Sequence, residues 1–415
     1  MDFPRLAKVQ QCYPSLKIPD AAEETKRALA KSNLRTKIKP GMKVGITAGS
    51  RGIKNIVEIF DAVITYIKAL GGVPVIIPAM GSHGGGSPAG QEKILSSLGI
   101  TAENLGAPIA YSTEYIEIGR VFYGALYAGD KAFECDAVIL LNRIKPHTSF
   151  HGEYESGLLK MLVVGLGGAA GAASFHSCHP SLLSRALKEA GGFLLKKLPV
   201  VLGLAVLEDA HEDTMEIHAI EPEEILDKEK YLLHKARSFL PSLPAERLDI
   251  LIVDEIGKNY SGTGMDTNVI GRLRIQGLPE PACPAIERII VLDISSKTHG
   301  NAYGIGLADF TTERLVEKIN RQATFTNALA STFTQRAMIP MHFKNDFEVL
   351  RAALKTLNVT DPSIVRLIRI RNTLNLSEML VSEALITEVV QKPHIKQVGA
   401  LSEIHFDENG NMLPF

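Results

Sequence analysis

The sequence predicts an α/β protein, with two α/β domains, mainly parallel sheets and an interdomain active-site cleft. Three observations predict it. Short β-branched runs alternate with amphipathic stretches, glycines and prolines punctuate the joints, and the rhythm restarts after the proline-flanked turn Pro-Ser-Leu-Pro-Ala-Glu-Arg ending at Arg247. A chain of 415 residues is long for one core and long enough for two. The turn divides it into an N-terminal domain, 1–245, expected to carry the chemistry, and a C-terminal domain, 246–415, expected to close the cleft.

Lys43 to Ala48 (KVGITA) reads as a strand, Ile56 to Leu70 as an amphipathic helix, and Val73 to Pro78 (VPVIIP) as a second strand, which together make a βαβ unit. Gly71 and Gly72 end the helix, and Pro74, with no N–H to donate, places its strand near an edge or at its own start. Asp136 to Leu141 (DAVILL) is a further strand that runs into a Lys-Pro-His segment, and Val200 to Val206 (VVLGLAV) is another. A polar, charged stretch follows from Glu208 to Arg247. The second half repeats the pattern with Leu248 to Asp254 (LDILIVD), a glycine-rich loop from Gly257 to Gly264 and Arg288 to Ile294 (RIIVLDI). In an open parallel sheet, ligands bind beyond the carboxyl ends of the strands. The loops after Ala48, Ala79 and Leu141 occupy that place and carry Arg51, His83 and His147.

Composition narrows the function. An apolar fraction of 45% and a formal net charge of −1 exclude a disordered chain and a polyanionic partner, so nucleic acid is not expected. The first twenty residues lack a signal-peptide core and no apolar run is long enough for a bilayer, which predicts a cytoplasmic chain with no membrane partner. The four cysteines, Cys12, Cys135, Cys178 and Cys283, form no C-x-x-C pair, which argues against a disulfide framework and a four-thiolate zinc site. With no tryptophan, any aromatic platform is Phe or Tyr.

Chemistry-bearing residues concentrate between 145 and 179, where His147, His151, His176, His179, Lys160 and Cys178 interrupt small and apolar residues. Imidazole is both a common metal ligand and the side chain that titrates nearest neutrality. His147 and His151 would share a face if helical, but Pro146 and Thr-Ser-Phe suit a loop equally well. The pair shows no H-E-x-x-H pattern and lacks a paired carboxylate. Lys160 sits among Leu158, Leu159, Met161 and Leu162, where an amine is desolvated and nucleophilic unless it reaches for solvent along an amphipathic helix. The Gly81-Ser-His-Gly-Gly-Gly-Ser87 loop is either an anion cradle before the helix at Pro88 or a tight turn with an exposed histidine. In the second half, Asp266 and Asn268 orient a turn or hold a hydroxylated ligand, while Arg272 and Arg274 suit a carboxylate or phosphate.

Taken in order, Arg51, Gly81-Ser82-His83, Ile144-Lys145-Pro146-His147, Lys160 and His176 resemble the nickel-pincer-nucleotide-dependent lactate racemase family, and the likeness extends to Asp266-Thr267-Asn268 and His299-Gly300. The resemblance implies an isomerase, a racemase or epimerase at the C2 carbinol of a 2-hydroxy acid. It implies a pyridinium-3,5-bisthiocarboxylic acid mononucleotide whose sulfur, carbon and sulfur atoms grip nickel, made by dedicated cofactor-synthesis enzymes. Lys160 would tether it and His176 would be the protein's ligand to the metal. His83 and His147 would be the catalytic acid/base pair, and Arg51 and Arg274 would bind substrate. Hydride abstraction with proton transfer to histidine leaves a planar 2-oxo acid, open to return from either face.

Three departures bear on the substrate. The family's Asp-His-Thr-Arg-Pro signature is reduced to Gly49-Ser50-Arg51-Gly52, no arginine follows His83 in its loop, and the His147 to Lys160 interval is longer, which makes His151 a rival to His147. Together with the missing tryptophan, they point away from lactate towards a larger or more polar 2-hydroxy acid, such as a sugar acid or dicarboxylate. Two other readings stay open: a zinc-dependent hydrolase or lyase built on His147, His151 and His176, and a non-enzymatic nucleotide-binding module with structural histidines.

Overall fold

The computed structural model describes residues 2–415, which form two compact units. One is Pro14–Leu240; the other joins the segment ending at Tyr13 to Pro241–Phe415. The N-terminal strand β1 (Leu6–Gln11) therefore precedes the first unit in sequence without belonging to it.

The Pro14–Leu240 unit contains β2 (Lys43–Ala48), β3 (Val73–Pro78), the hairpin β4 (Tyr115–Val121) and β5 (Gly124–Gly129), then β6 (Ala137–Arg143), β7 (Val200–Glu208) and β8 (Thr214–Ile220). Its main sheet runs β3-β2-β6-β7-β8, parallel except for β8, with Pro74 on an edge strand as its missing donor requires. The apolar run of β6 is continuous because both faces are covered: Val138 and Leu140 enter one apolar layer, and Ala137, Ile139 and Leu141 the other. The helix Ile56–Ala69 buries Ile59, Phe60, Val63, Ile64 and Ile67, a stripe at helical spacing. Each such side chain contributes roughly 1.5–3 kcal/mol on burial.

The second unit holds β9 (Arg247–Ile256), β10 (Ala285–Ile294), β11 (Phe310–Thr312), β12 (Met341–Phe343), β13 (Leu367–Ile370), β14 (Glu378–Ser382) and β15 (Ile395–Gln397). They form one eight-stranded sheet, β12-β11-β10-β9-β13-β14-β1-β15, whose first five strands are parallel. β1 enters this sheet antiparallel to β14 and β15. The α/β class with mainly parallel sheets is thus as the sequence predicts. The division expected at 245/246 shifts in two respects: it falls at Pro241, and the residues through Tyr13 pair with the later unit. The polar stretch after Glu208 holds β8 and the helix Ile225–Ser238. No single helix among the described residues is long and apolar enough to cross a membrane.

Candidate active site

The loops leaving β2, β3 and β6 at their carboxyl ends carry Arg51, His83 and His147. After β3, the chain makes a tight turn at His83–Gly86 in which Gly84 and Gly85 both have φ of 67°. A Cβ on Gly84 would lie 2.5 Å from the Gly90 carbonyl carbon, so this loop folds back on the helix Pro88–Ser97 only because glycine is there. His83 Nδ1 lies 2.9 Å from the Met80 carbonyl and 3.1 Å from Ser50 Oγ. A carbonyl can only accept, so the proton is assigned to Nδ1 and Nε2 becomes the basic nitrogen.

The loop after β6 is irregular through 147–151, as Pro146 suggests. Its Ser149 N–H donates to His147 Nδ1 at 3.0 Å, which assigns the His147 proton to Nε2. The two histidines therefore present opposite tautomers. The His147 ring lies 4.4 Å from that of Phe150, and Phe150 in turn lies 5.8 Å from Lys160 Nζ. His151 turns instead to Glu155, its Nδ1 3.4 Å from a carboxylate oxygen. The expectation of histidines without a paired carboxylate is thus corrected: Glu155, wholly buried, serves this loop.

Lys160 ends a short helical turn, Leu158–Lys160, that continues as a π-helical turn, Met161–Gly165. Such turns recur at functional sites. The chain then bends by 108° into the helix Gly168–His176. Gly168 makes the bend, with φ of 62° and a would-be Cβ 2.0 Å from the Tyr115 ring. His176 is the last residue of that helix.

Electrostatics tie these residues together. Burial, then the charge of Arg51, pushes the Lys160 amine down to about 7, against an upward pull from Glu155. Burial, then Lys160 and His83, pushes His176 down to about 4, so its imidazole is neutral at pH 7. Arg51 is lowered by burial and by Arg143. Arg51 and His176 nevertheless remain open to solvent. The side chains of Arg51, Lys160 and His176 make no hydrogen bond or close ion pair to another described residue, whereas Arg143 is paired with Glu208 at 2.6 Å.

Arg51, His83, Lys160 and His176 are thus brought within electrostatic reach of one another, and His147 joins them through Phe150. Arg274 belongs to the other unit, where Asp309 Oδ1 holds its guanidinium at 2.6 Å. Arg272 grips the same carboxylate, and Asp266 caps the turn Thr267–Ile270 by accepting from Asn268 N–H. Among the described residues no three His, Cys, Asp or Glu side chains converge as a metal-binding group, so the proposed zinc triad of His147, His151 and His176 does not assemble. Sequence reasoning missed Phe150, Glu155, Glu229 and Arg237; the acid-rich run His151-Gly-Glu-Tyr-Glu155 was the available signal.

A five-stranded and an eight-stranded sheet, both largely parallel and each in its own unit, define the class of fold: mixed α/β of the lactate racemase type. One solved structure that shows the likeness is the lactate racemase apoprotein from Thermoanaerobacterium thermosaccharolyticum, with a TM-score of 0.54 and 14% identity over 89% of this chain and 98% of that one. A structural-genomics protein from Thermotoga maritima aligns with a TM-score of 0.49 and 14% identity over 76% of this chain and 82% of that one. No family model matches the chain, and no curated protein matches it.

Proposed function

We propose that this chain is a racemase or epimerase acting at the C2 carbinol of a 2-hydroxy acid, with a nickel-pincer nucleotide tethered to Lys160. The observation that carries the reading is a set of bases without a side-chain hydrogen bond or close ion pair, Arg51, Lys160 and His176, two of them desolvated enough to be largely or half neutral at pH 7. A partly desolvated cation without an ion-pair partner, as Arg51 is, is costly unless a ligand brings negative charge. A nucleotide phosphate and a substrate carboxylate are anions of that kind.

The donor chemistry fits the group. His176, neutral at pH 7, would supply an imidazole donor to the nickel that the nucleotide carries. Lys160, about half deprotonated near pH 7, is a nucleophile able to form the covalent tether. When bound, the group supplies an acceptor for the hydrogen that leaves C2 as hydride. The protein does the rest. Arg51 clamps the carboxylate and thereby orients C2, as a planar guanidinium does well. His83, basic at Nε2, takes the hydroxyl proton as the carbon–oxygen bond gains double-bond character. His147, with its proton on Nε2, hydrogen-bonds the same oxygen and serves the opposite enantiomer when the two rings exchange protonation. The short Gly49-Ser-Arg-Gly52 segment and the absent tryptophan favour a larger or more polar acid than lactate.

The test is intact-mass and metal analysis of protein co-expressed with the cofactor-synthesis enzymes. A nickel-containing adduct that disappears in Lys160→Ala is expected; wild-type protein that stays unmodified and nickel-free overturns the cofactor assignment. Chiral chromatography of loaded protein with a panel of single-enantiomer 2-hydroxy acids then identifies the substrate.

A further inference from the structure

We propose that Glu155 is a positioning residue for this site, a buried carboxylate that closes the loop carrying His147 and holds the His147 backbone in place. The inference rests on the roles given above to His147 and Lys160, and it adds a residue that touches neither substrate nor cofactor.

The geometry is that of a loop closed on its own carboxylate. Glu155 Oε2 accepts from His147 N–H at 2.6 Å, and Oε1 accepts from Gly152 N–H at 3.0 Å and from Arg237 Nη2 at 2.5 Å. His151 Nδ1 stands 3.4 Å from Oε1. Burial alone would raise the Glu155 carboxyl, but His151, the His147 N–H and Arg237 together hold it below the usual carboxylate range, so the side chain is a buried anion. Lys145 and Ser156 close the base of this loop by exchanging backbone hydrogen bonds, and within it the Glu155 carboxylate fixes residues 147 and 152, which no ladder holds.

Arg237 extends the anchor. Its Nη2 also donates to the Gly152 carbonyl at 2.6 Å, so one guanidinium grips the carboxylate and the loop it organises. Arg237 lies on the helix Ile225–Ser238, which also carries Glu229, and a Glu229 oxygen accepts from Leu159 N–H at 3.0 Å, one residue before Lys160. One helix thus braces the candidate acid/base residue and the candidate tether together. A neutral amide at 155 would meet the hydrogen bonds in part. It would not supply the charge that pairs with Arg237 and His151, so the loop would lose its anchor while its fold remained.

The experiment uses the full-length, cofactor-free protein. Competitive acetylation of lysines across pH 5.5–9, resolved by mass spectrometry, gives the midpoint for Lys160, whose surrounding charges are Arg51, His176 and Glu155. Glu155→Gln is expected to lower that midpoint by roughly half to one pH unit, because losing the anion disfavours the ammonium form. Exposed lysines such as Lys228 should not shift. In cofactor-loaded protein the same variant should lose about tenfold or more in kcat with KM nearly unchanged, since Arg51 is untouched. Arg237→Gln releases the clamp but keeps the anion, so kcat falls while the Lys160 midpoint stays or rises, and it serves as the test if Glu155→Gln does not fold. A Glu155→Gln midpoint and kcat equal to wild type overturn the proposal, as does an Arg237→Gln kcat equal to wild type. A shifted midpoint in a protein that racemises nothing upholds Glu155 as the buried anion that organises this loop and rejects the catalytic reading instead.

Discussion

His83 stands on a loop shaped by glycines, whereas His147 stands on a loop tied around a buried carboxylate. In the first, two residues at φ of 67° and the close approach of Gly84 to Gly90 fix the turn. In the second, a single anion gathers backbone N–H groups, an imidazole and a guanidinium. One placement is enforced by what cannot fit, the other by charge. The first should therefore tolerate changes of charge and fail on added bulk, and the second should do the reverse.

The strongest test is to remove each ring. His83→Asn and His147→Asn should each lower kcat by roughly 10²–10⁴-fold in cofactor-loaded protein, the usual worth of a positioned acid or base. Steady-state kinetics with each enantiomer would break the pairing if one variant kept full activity in both directions. The next effect concerns the charge-organised side, through Glu229. Burial raises this carboxyl to about 7 from an ordinary 4.5, despite its hydrogen bonds from the Leu159 and Leu158 N–H groups. Between those two values the folded chain holds a proton that the unfolded chain has released, so stability falls as pH rises through the window. Glu229→Gln should abolish about 3 kcal/mol of that pH dependence, read from urea unfolding at pH 5 and pH 8; equal slopes in the two proteins would remove Glu229 from the charge-organised side.

On the glycine side, Gly84→Ala sets a side chain at φ of 67°, against the Gly90 backbone. It should cost about 1–3 kcal/mol in thermal or urea unfolding and lower kcat with it. An alanine tolerated without loss would mean that the loop is not held by close approach. The smallest effect is expected from Ser50→Ala. Ser50 Oγ lies 3.1 Å from His83 Nδ1, but the Met80 carbonyl already accepts that proton, so kcat should fall less than about tenfold. A larger loss would make Ser50, and not the turn, the residue that orients His83.

The sequence resolves best where physics is local. β2 and β3 are read to the residue, because each is a short β-branched run covered on both faces and bounded by turn residues. β6 extends beyond its apolar run to Asn142 and Arg143, whose polar side chains hide the strand's end. The β4 strand leaves no signal, since most of its side chains are exposed or half-buried and no alternation develops. β1 is illegible for another reason: its partners lie near Met379 and Lys396, and no local pattern encodes so distant a pairing. At the site, the carboxyl-end rule finds Arg51, His83 and His147, and the leucines around Lys160 foretell its desolvation. Glu155 escapes because its function is to close an irregular loop, which has no periodicity to reveal it. Arg237 escapes because it reaches that loop from a helix more than eighty residues further on.

The course of β1 has a modular consequence. Gln11 Nε2 donates to the Ser242 carbonyl at 3.1 Å, and Ser242 N–H donates to the Tyr13 hydroxyl at 3.3 Å, so the chain departs from the eight-stranded sheet and returns to it at neighbouring points. Residues 14–240 are in effect a cassette spliced between two strands of another fold, with a complete sheet and both apolar layers of its own. A short linker from Tyr13 to Pro241 would close the host over the gap, and the excised cassette would leave with every one of His83, His147, Glu155, Lys160 and His176 on board.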